Sequence, residues 1–211
     1  MNERAEEMKE VLNAPAQPQP SELPQKPGRD RIPKEIVRYP DPVLFKKADD
    51  IVCDWLHGDD HKEVMELFND LMCTLVSQKS GQHLGISAPQ IGVSKRAMIV
   101  LGVAMVNPTW SPVSMPGNPS VEGCYSLHED DGKMILFKKW RAPYGWAKWV
   151  EPTSGIVREE KLKGIKAVVF QHELDHLNGT LLENAEFMTV VDGKYAPYAL
   201  GFDPKDGTLS K

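Results

Sequence analysis

The chain is predicted to fold as an α+β domain, and three observations point there. Helical periodicity sits near both ends of its globular part, short strand-like runs fill the middle, and no regular β-α-β alternation links them. At 211 residues it holds one domain with a substantial core. Residues 1–32 open with a charged stretch and then turn proline-rich, from Ala14-Pro15 to Lys26-Pro27. Low hydrophobicity and repeated proline predict a disordered tail with polyproline character there. Globular character runs from residue 33 to 188. Asp60 and Glu63 form a D-x-x-E start signal, and Val64, Leu67, Phe68, Leu71, Met72 and Leu75 follow helical spacing, which predicts a helix over 61–78. The apolar run Arg96–Val106 reads as a strand ending at Asn107-Pro108. Shorter strands are expected at 134–138, 145–150 and 156–161, the last two joined through the turn residues Glu151 to Gly155. A final helix should run from Leu162 to Leu177 and stop at Asn178-Gly179, with the glycine at the left-handed capping position. Residues 189–211 are rich in Gly and Pro and are expected to form an irregular tail.

Bulk properties narrow the function classes. The formal charge is −5, which argues against a phosphate-binding face. No apolar run approaches the length that spans a bilayer. The acidic start resembles neither a secretory signal nor an Arg-rich transit peptide, so the cytoplasm is the expected location. Cys53, Cys73 and Cys124 are odd in number, which makes a disulfide framework a poor reading. Cys53 and Cys73 sit among apolar residues and read as small core hydrophobes.

The last predicted helix contains His172-Glu173-Leu174-Asp175-His176. Histidines at i and i+4 project from one face a turn apart and can share a metal, with Glu173 placed to exchange protons with a water there. The bland alternative is a solvated His-rich helix end. Against it stand Ile165, Val168, Val169 and Phe170 just upstream, which predict a partly buried face where unpartnered imidazoles are costly. Two histidines leave a metal short of its usual third protein ligand. An H-x-x-G-x-x-H continuation would need a histidine at Leu182, and it fails. Glu183 and Glu186 lie too near the helix end. Upstream, Cys124 within Glu122-Gly-Cys-Tyr-Ser126 offers a soft thiolate. One thiolate and two imidazoles suit Fe(II), Zn, Co or Ni and leave a position open. No His or Asp is placed to make Ser87 or Ser126 a triad nucleophile.

Taken together, these segments resemble the peptide deformylase family. Gly85-Ile-Ser-Ala-Pro-Gln90 followed by Ile91-Gly92, Glu122–Ser126, and Gln171-His-Glu-Leu-Asp-His176 match its three motifs in order. Arg38-Tyr-Pro-Asp-Pro-Val-Leu44 and Asn107-Pro108 add to the match, which covers about residues 35–186. The resemblance implies small mixed or antiparallel sheets packed around a C-terminal H-E-x-x-H helix. It also implies hydrolysis of the N-formyl group of formyl-Met nascent peptides, near the ribosome. Cys124, His172 and His176 would hold one divalent metal, Fe(II) by family expectation. Glu173 would move the protons. The Gln90 amide and the Tyr125 backbone N–H would hold the oxyanion. Leu84 and Gly85 would pair with the peptide backbone, with Gly85 and Gly123 permitting close approach. Leu84, Ile165, Val168 and Val169 would take the methionine side chain.

Some positions depart from the family. Tyr125 stands where Leu is common. After Ser126 the chain continues Leu127-His-Glu-Asp-Asp-Gly132, without the usual Pro and substrate-facing Arg. The stretch from Cys124 to His172 is longer and carries Trp140, Trp146 and Trp149. Glu129 to Asp131 would favour basic residues at the second or third substrate position if they line the cleft. Ser87 and Pro89 are read as packing and turn residues, His57, His61 and His128 as solvent-facing, and His83 as a tolerated change.

Overall fold

The computed structural model describes residues 31–55, 58–78, 83–113, 117–128, 134–191 and 194–197. Residues 1–30 and 198–211, which hold most of the two expected tails, lie outside that description. A 3-10 turn (Pro42–Phe45) precedes helix α1 (Asp59–Ser77), followed by β1 (Gly85–Ser87), a second 3-10 turn (Ala88–Ile91), β2 (Ala97–Val100) and β3 (Val103–Pro112). Strands β4 (Asn118–His128), β5 (Met134–Arg141), β6 (Tyr144–Val150) and β7 (Val157–Lys163) lead into helix α2 (Gly164–Asn178). Strands β8 (Glu186–Val191) and β9 (Lys194–Pro197) follow. One sheet has the order β1-β2-β3-β6-β7 and the other β4-β5-β8-β9. All pairs within them are antiparallel. Few helices and antiparallel sheets make this α+β, as expected.

Helix α1 lays Val64, Phe68, Leu71 and Leu75 into one core with Ile86 of β1 and Ala97 and Ile99 of β2. It begins two residues earlier than the expected D-x-x-E start. The N-cap is Gly58, without a side-chain bond, and Asp60 lies inside the first turn beside Asp59. There the two carboxylates favour the helix through its positive end rather than through a capping box. At its outer face Arg31 pairs with Glu66 and Asp70.

The expected strand over Arg96–Val106 is two strands. The chain reverses at Leu101 and Gly102, whose φ values are 45° and 82°. Two consecutive positive φ values suit a tight hairpin turn, and a leucine there hides the turn inside an apolar run. β6 and β7 pair from Val150↔Val157 to Tyr144↔Lys163, the hairpin expected across Glu151 to Gly155.

Residues 189–211 were expected to be irregular, yet Thr189 to Val191 extend β8, and β9 pairs with it from Val191↔Lys194 outward. The reason is local. Glu186–Val191 is an apolar, β-branched run, and Asp192-Gly193 before Lys194-Tyr195 is hairpin chemistry. β8 also pairs with β5 through Phe187↔Phe137 and Met188↔Leu136.

Helix α2 packs on β1 and β2 and ends at Gly179, with φ 69° and its N–H bonded to the Asp175 and His176 carbonyls. A Cβ at 179 would meet the Phe45 carbonyl carbon at 2.6 Å, so glycine is required by both conformation and contact. No helix among the described residues is long and apolar enough to cross a membrane.

Candidate metal centre and peptide cleft

Helix α2 presents His172 and His176 on one face, ring centroids 5.3 Å apart. β4, an edge strand, brings Cys124 to them from more than forty residues upstream. The three donor atoms lie within 4.8 Å of one another. All three side chains are buried, and Cys124 Sγ is 3.1 Å from His176 Nε2.

His172 Nδ1 lies 2.8 Å from Glu122 Oε2. An ionised carboxylate only accepts, so Nδ1 carries the proton and Nε2 is left for the centre. Arg141 holds Glu122 through two bonds of 2.7 and 2.8 Å and reaches Asp175 Oδ2 at 2.6 Å. Lys139 joins the same Asp175 oxygen at 2.8 Å. Phe137 stacks on the His172 ring, centroids 5.8 Å apart. Burial works against a charge on Glu122, but bonds from Arg141 and His172 outweigh it and hold the carboxyl down to about 2. Burial likewise opposes a charged His172. Bonds to Cys124 and Glu122 win and push it up to about 10. At the His172 ring these partners therefore favour a positive charge. His176 is driven the other way, first by burial and then by the positive field of His172. A cation is what this set of donors fits, since three buried ligating atoms converge and their outer partners are already anchored.

Gln90 is buried beside them. Its Oε1 accepts from Ser87 N at 2.9 Å and Ser87 Oγ at 3.1 Å, which turns Nε2 toward Cys124 Sγ at 3.6 Å. Ser87 is thus an orienting residue as well as a turn residue. Glu173 lies against Gly85. A Cβ there would sit 2.6 Å from Glu173 Oε1 and 2.9 Å from Val169 Cγ1, so only glycine leaves room. Burial raises the Glu173 carboxyl to about 7, with His172 and Ser87 pulling it down only in part. Its Oε2 has no hydrogen-bond partner among the described residues.

These groups border a cavity of about 480 Å³. Leu84, Gly85, Gly123, Tyr125, Ile165, Val168 and Val169 all line it, together with Gln90, Cys124, His172 and Glu173. Every expected site residue except His176, which lies beneath, reaches this one space. β1 and β4 each lie at one edge of their sheet, and both contribute to its walls. Motif reading missed Ser120, Val121, Met134 and Leu136, which also line it, and the Glu122–Arg141–Asp175 network behind it. Strand pairing brings these residues in, and nothing in their local spacing announces it.

Outside the cavity, His61 is not simply solvent-facing. Its Nε2 lies 2.8 Å from the Pro152 carbonyl and its ring meets Trp55 edge-on. Half-buried between α1 and the β6–β7 turn, it helps hold that turn. His83 is exposed. His57, the side chain of His128 and the acidic segment 129–131 lie outside the described residues.

A family model described as polypeptide deformylase matches residues 33–186. The peptide deformylase of Thermotoga sp. (strain RQ2) is 32% identical over 148 residues, covering 68% of this chain and 81% of its own length. The chloroplastic peptide deformylase 1B of Solanum lycopersicum is 31% identical over 159 residues, 71% of this chain and 52% of that protein. Among solved structures, an inhibitor complex of Plasmodium falciparum peptide deformylase aligns with a TM-score of 0.55 at 31% identity, covering 69% of this chain and 84% of the other. A class I type b peptide deformylase from Acinetobacter baumannii, with Met-Ala-Ser bound, aligns with a TM-score of 0.62 at 25% identity. That match covers 73% of this chain and 99% of the other.

Proposed function

The chain belongs to the polypeptide deformylase family and hydrolyses N-formylmethionyl peptides to formate and a free N-terminal Met, and we propose how its residues divide that work. The observation that carries the reading is Cys124, His172 and His176 converging beside Glu173 in one peptide-sized cleft. α2 is the H-E-x-x-H helix around which the site is built. Cys124, His172 and His176 hold one divalent metal, Fe(II) by family resemblance, with Zn, Ni and Co compatible with the same donors. When bound, it supplies Lewis-acid activation that makes water nucleophilic near neutral pH.

Glu173 takes the proton of the attacking water and returns one to the departing amine nitrogen. A carboxyl raised toward 7 by burial is matched to both tasks. The Gln90 Nε2 group, aimed by Ser87, and the Tyr125 backbone N–H donate to the formyl oxygen as it gains charge. Leu84 and Gly85 on edge strand β1, and Gly123 on edge strand β4, receive the extended peptide as an added strand. Leu84, Ile165, Val168 and Val169 surround the methionine side chain. The substrates are nascent peptides near the ribosome, in the cytoplasm. The catalytic unit runs from Arg31, which pairs with α1, through β9.

The test is anaerobic purification, metal analysis and formate release from formyl-Met-Ala-Ser. One metal per chain and turnover are expected, with activity lost in air if the metal is Fe(II). A fully metal-loaded protein that releases no formate would overturn the reading. Zinc in aerobic and anaerobic preparations of equal activity would overturn the iron assignment alone.

A further inference from the structure

We propose that the outer face of β3, β6 and β7, centred on Trp146 and ringed by Lys148, Lys161 and Lys163, binds single-stranded RNA. The two faces of this sheet are used differently. Inward, Ala147, Trp149 and Leu162 pack into the core with α2, and the Trp110 ring lies against Phe170 with centroids 5.4 Å apart. Side chains alternate along a strand, so Tyr144, Trp146 and Lys148 of β6 turn the other way, as do Glu159, Lys161 and Lys163 of β7. Thr109 and Ser111 of β3 share that outer side. Helix α1 covers one end of it, where Val106 and Val150 join its core. Beyond that end Trp146 is 46% exposed, and the hydroxyl residues and lysines around it are exposed too.

Strand pairing sets the neighbours of this indole. Trp146 lies between Ser111 of β3 and Lys161 of β7, and Tyr144 is opposite Lys163. A small serine on one side leaves the indole reachable. Lys161 Nζ stands 5.0 Å from the centre of the Tyr144 ring, a cation–π contact that keeps the ammonium beside both aromatics. Glu159 is the acidic group on this side, and it sits opposite Lys148. Arg158 and Glu160 belong to the inner side and pair with Glu151 and Lys166. The face is therefore locally positive, although the whole chain has a formal charge of −5. Lys161 and Lys163 are about 7 Å apart along their strand. A flexible chain of bases and phosphates uses both features, because bases stack on the indole while phosphates meet the lysines. An acidic peptide would use the lysines alone. The face points away from α2, so RNA bound there leaves the peptide cleft open.

The experiment measures fluorescence anisotropy of a labelled, unstructured RNA of about twelve nucleotides across a range of salt. The full chain is compared with Trp146→Ala, Lys161→Gln and Lys47→Gln, and thermal melting establishes that the variants are folded. Lys47, exposed on the segment before α1, is the control for general charge. Three phosphate contacts predict that log Kd rises by about two for each tenfold rise in salt. Trp146→Ala should weaken binding about five- to a hundredfold and keep that slope. Lys161→Gln should lower the slope by about 0.7, and Lys47→Gln should leave both unchanged. No RNA binding by wild type would overturn the proposal. So would wild-type affinity in a folded Trp146→Ala, or equal weakening by Lys47→Gln and Lys161→Gln. Vesicles of phosphatidylserine and phosphatidylcholine are the second probe. Their capture of the protein in place of RNA would assign the face to lipid and overturn the RNA reading.

Discussion

Glu122 stands behind the candidate metal centre and holds the His172 ring. Its carboxylate takes the His172 Nδ1 proton on one side and the Arg141 guanidinium on the other, and all three groups are buried. Removing its charge leaves Arg141 with only Asp175 and frees the His172 ring. We expect Glu122→Gln to lose about ten- to a hundredfold in metal affinity, the usual cost of losing such an outer partner. The same change has a pH signature. The folded carboxyl sits at about 2 against an ordinary 4.5, so its stabilisation is present above 4.5 and is lost as pH falls toward 2. Urea unfolding of wild type and Glu122→Gln should therefore differ most near pH 6 and converge only as the pH falls toward 2. A constant gap would mean that the carboxylate's charge is not what stabilises the fold. At this scale the motifs were readable. Cys124, the two histidines and Glu173 were legible because each carries unusual chemistry in a short pattern. Arg141 was not, since it meets Glu122 across 19 residues with no local periodicity to mark the pair.

Helix α2 is legible as an element because its end is written in local chemistry. Asn178-Gly179 supplies the left-handed cap, and Arg96, nearly buried, donates to the Leu177 carbonyl and the Asn178 side chain at the same end. Gly179→Ala must accept φ near 69° and a collision with the Phe45 carbonyl. The strained conformation alone costs about 1–2 kcal/mol, and the contact adds to it. A lowered Tm with a wild-type urea m-value is expected. An unchanged Tm would show that the cap is dispensable. Strand β4 was not legible, although it delivers Cys124. Pro119 and Gly123 interrupt its pattern, and an edge strand tolerates both where a central strand would not. The β2–β3 reversal was hidden because Leu101 continues the apolar run, and β9 because the Gly and Pro content around it predicts an irregular tail.

Across the whole molecule, function depends on two sheets presenting edge strands to one cavity, with α2 beneath. Fold class followed from element order, but which strands form the edges is a matter of pairing and could not be read from the chain. The expected ligands and the expected pocket residues converge only through that topology. The central claim is that Cys124, His172 and His176 hold the metal while Glu173 handles the proton, so the two duties separate in one variant. Replacing Glu173 with Gln keeps the shape beside Gly85 and removes the base. Metal content measured together with formate release from formyl-Met-Ala-Ser is then the most direct test. We predict about one metal per chain, as in wild type, with turnover reduced at least about a hundredfold. A metal-loaded Glu173→Gln protein that releases formate at the wild-type rate would contradict this account.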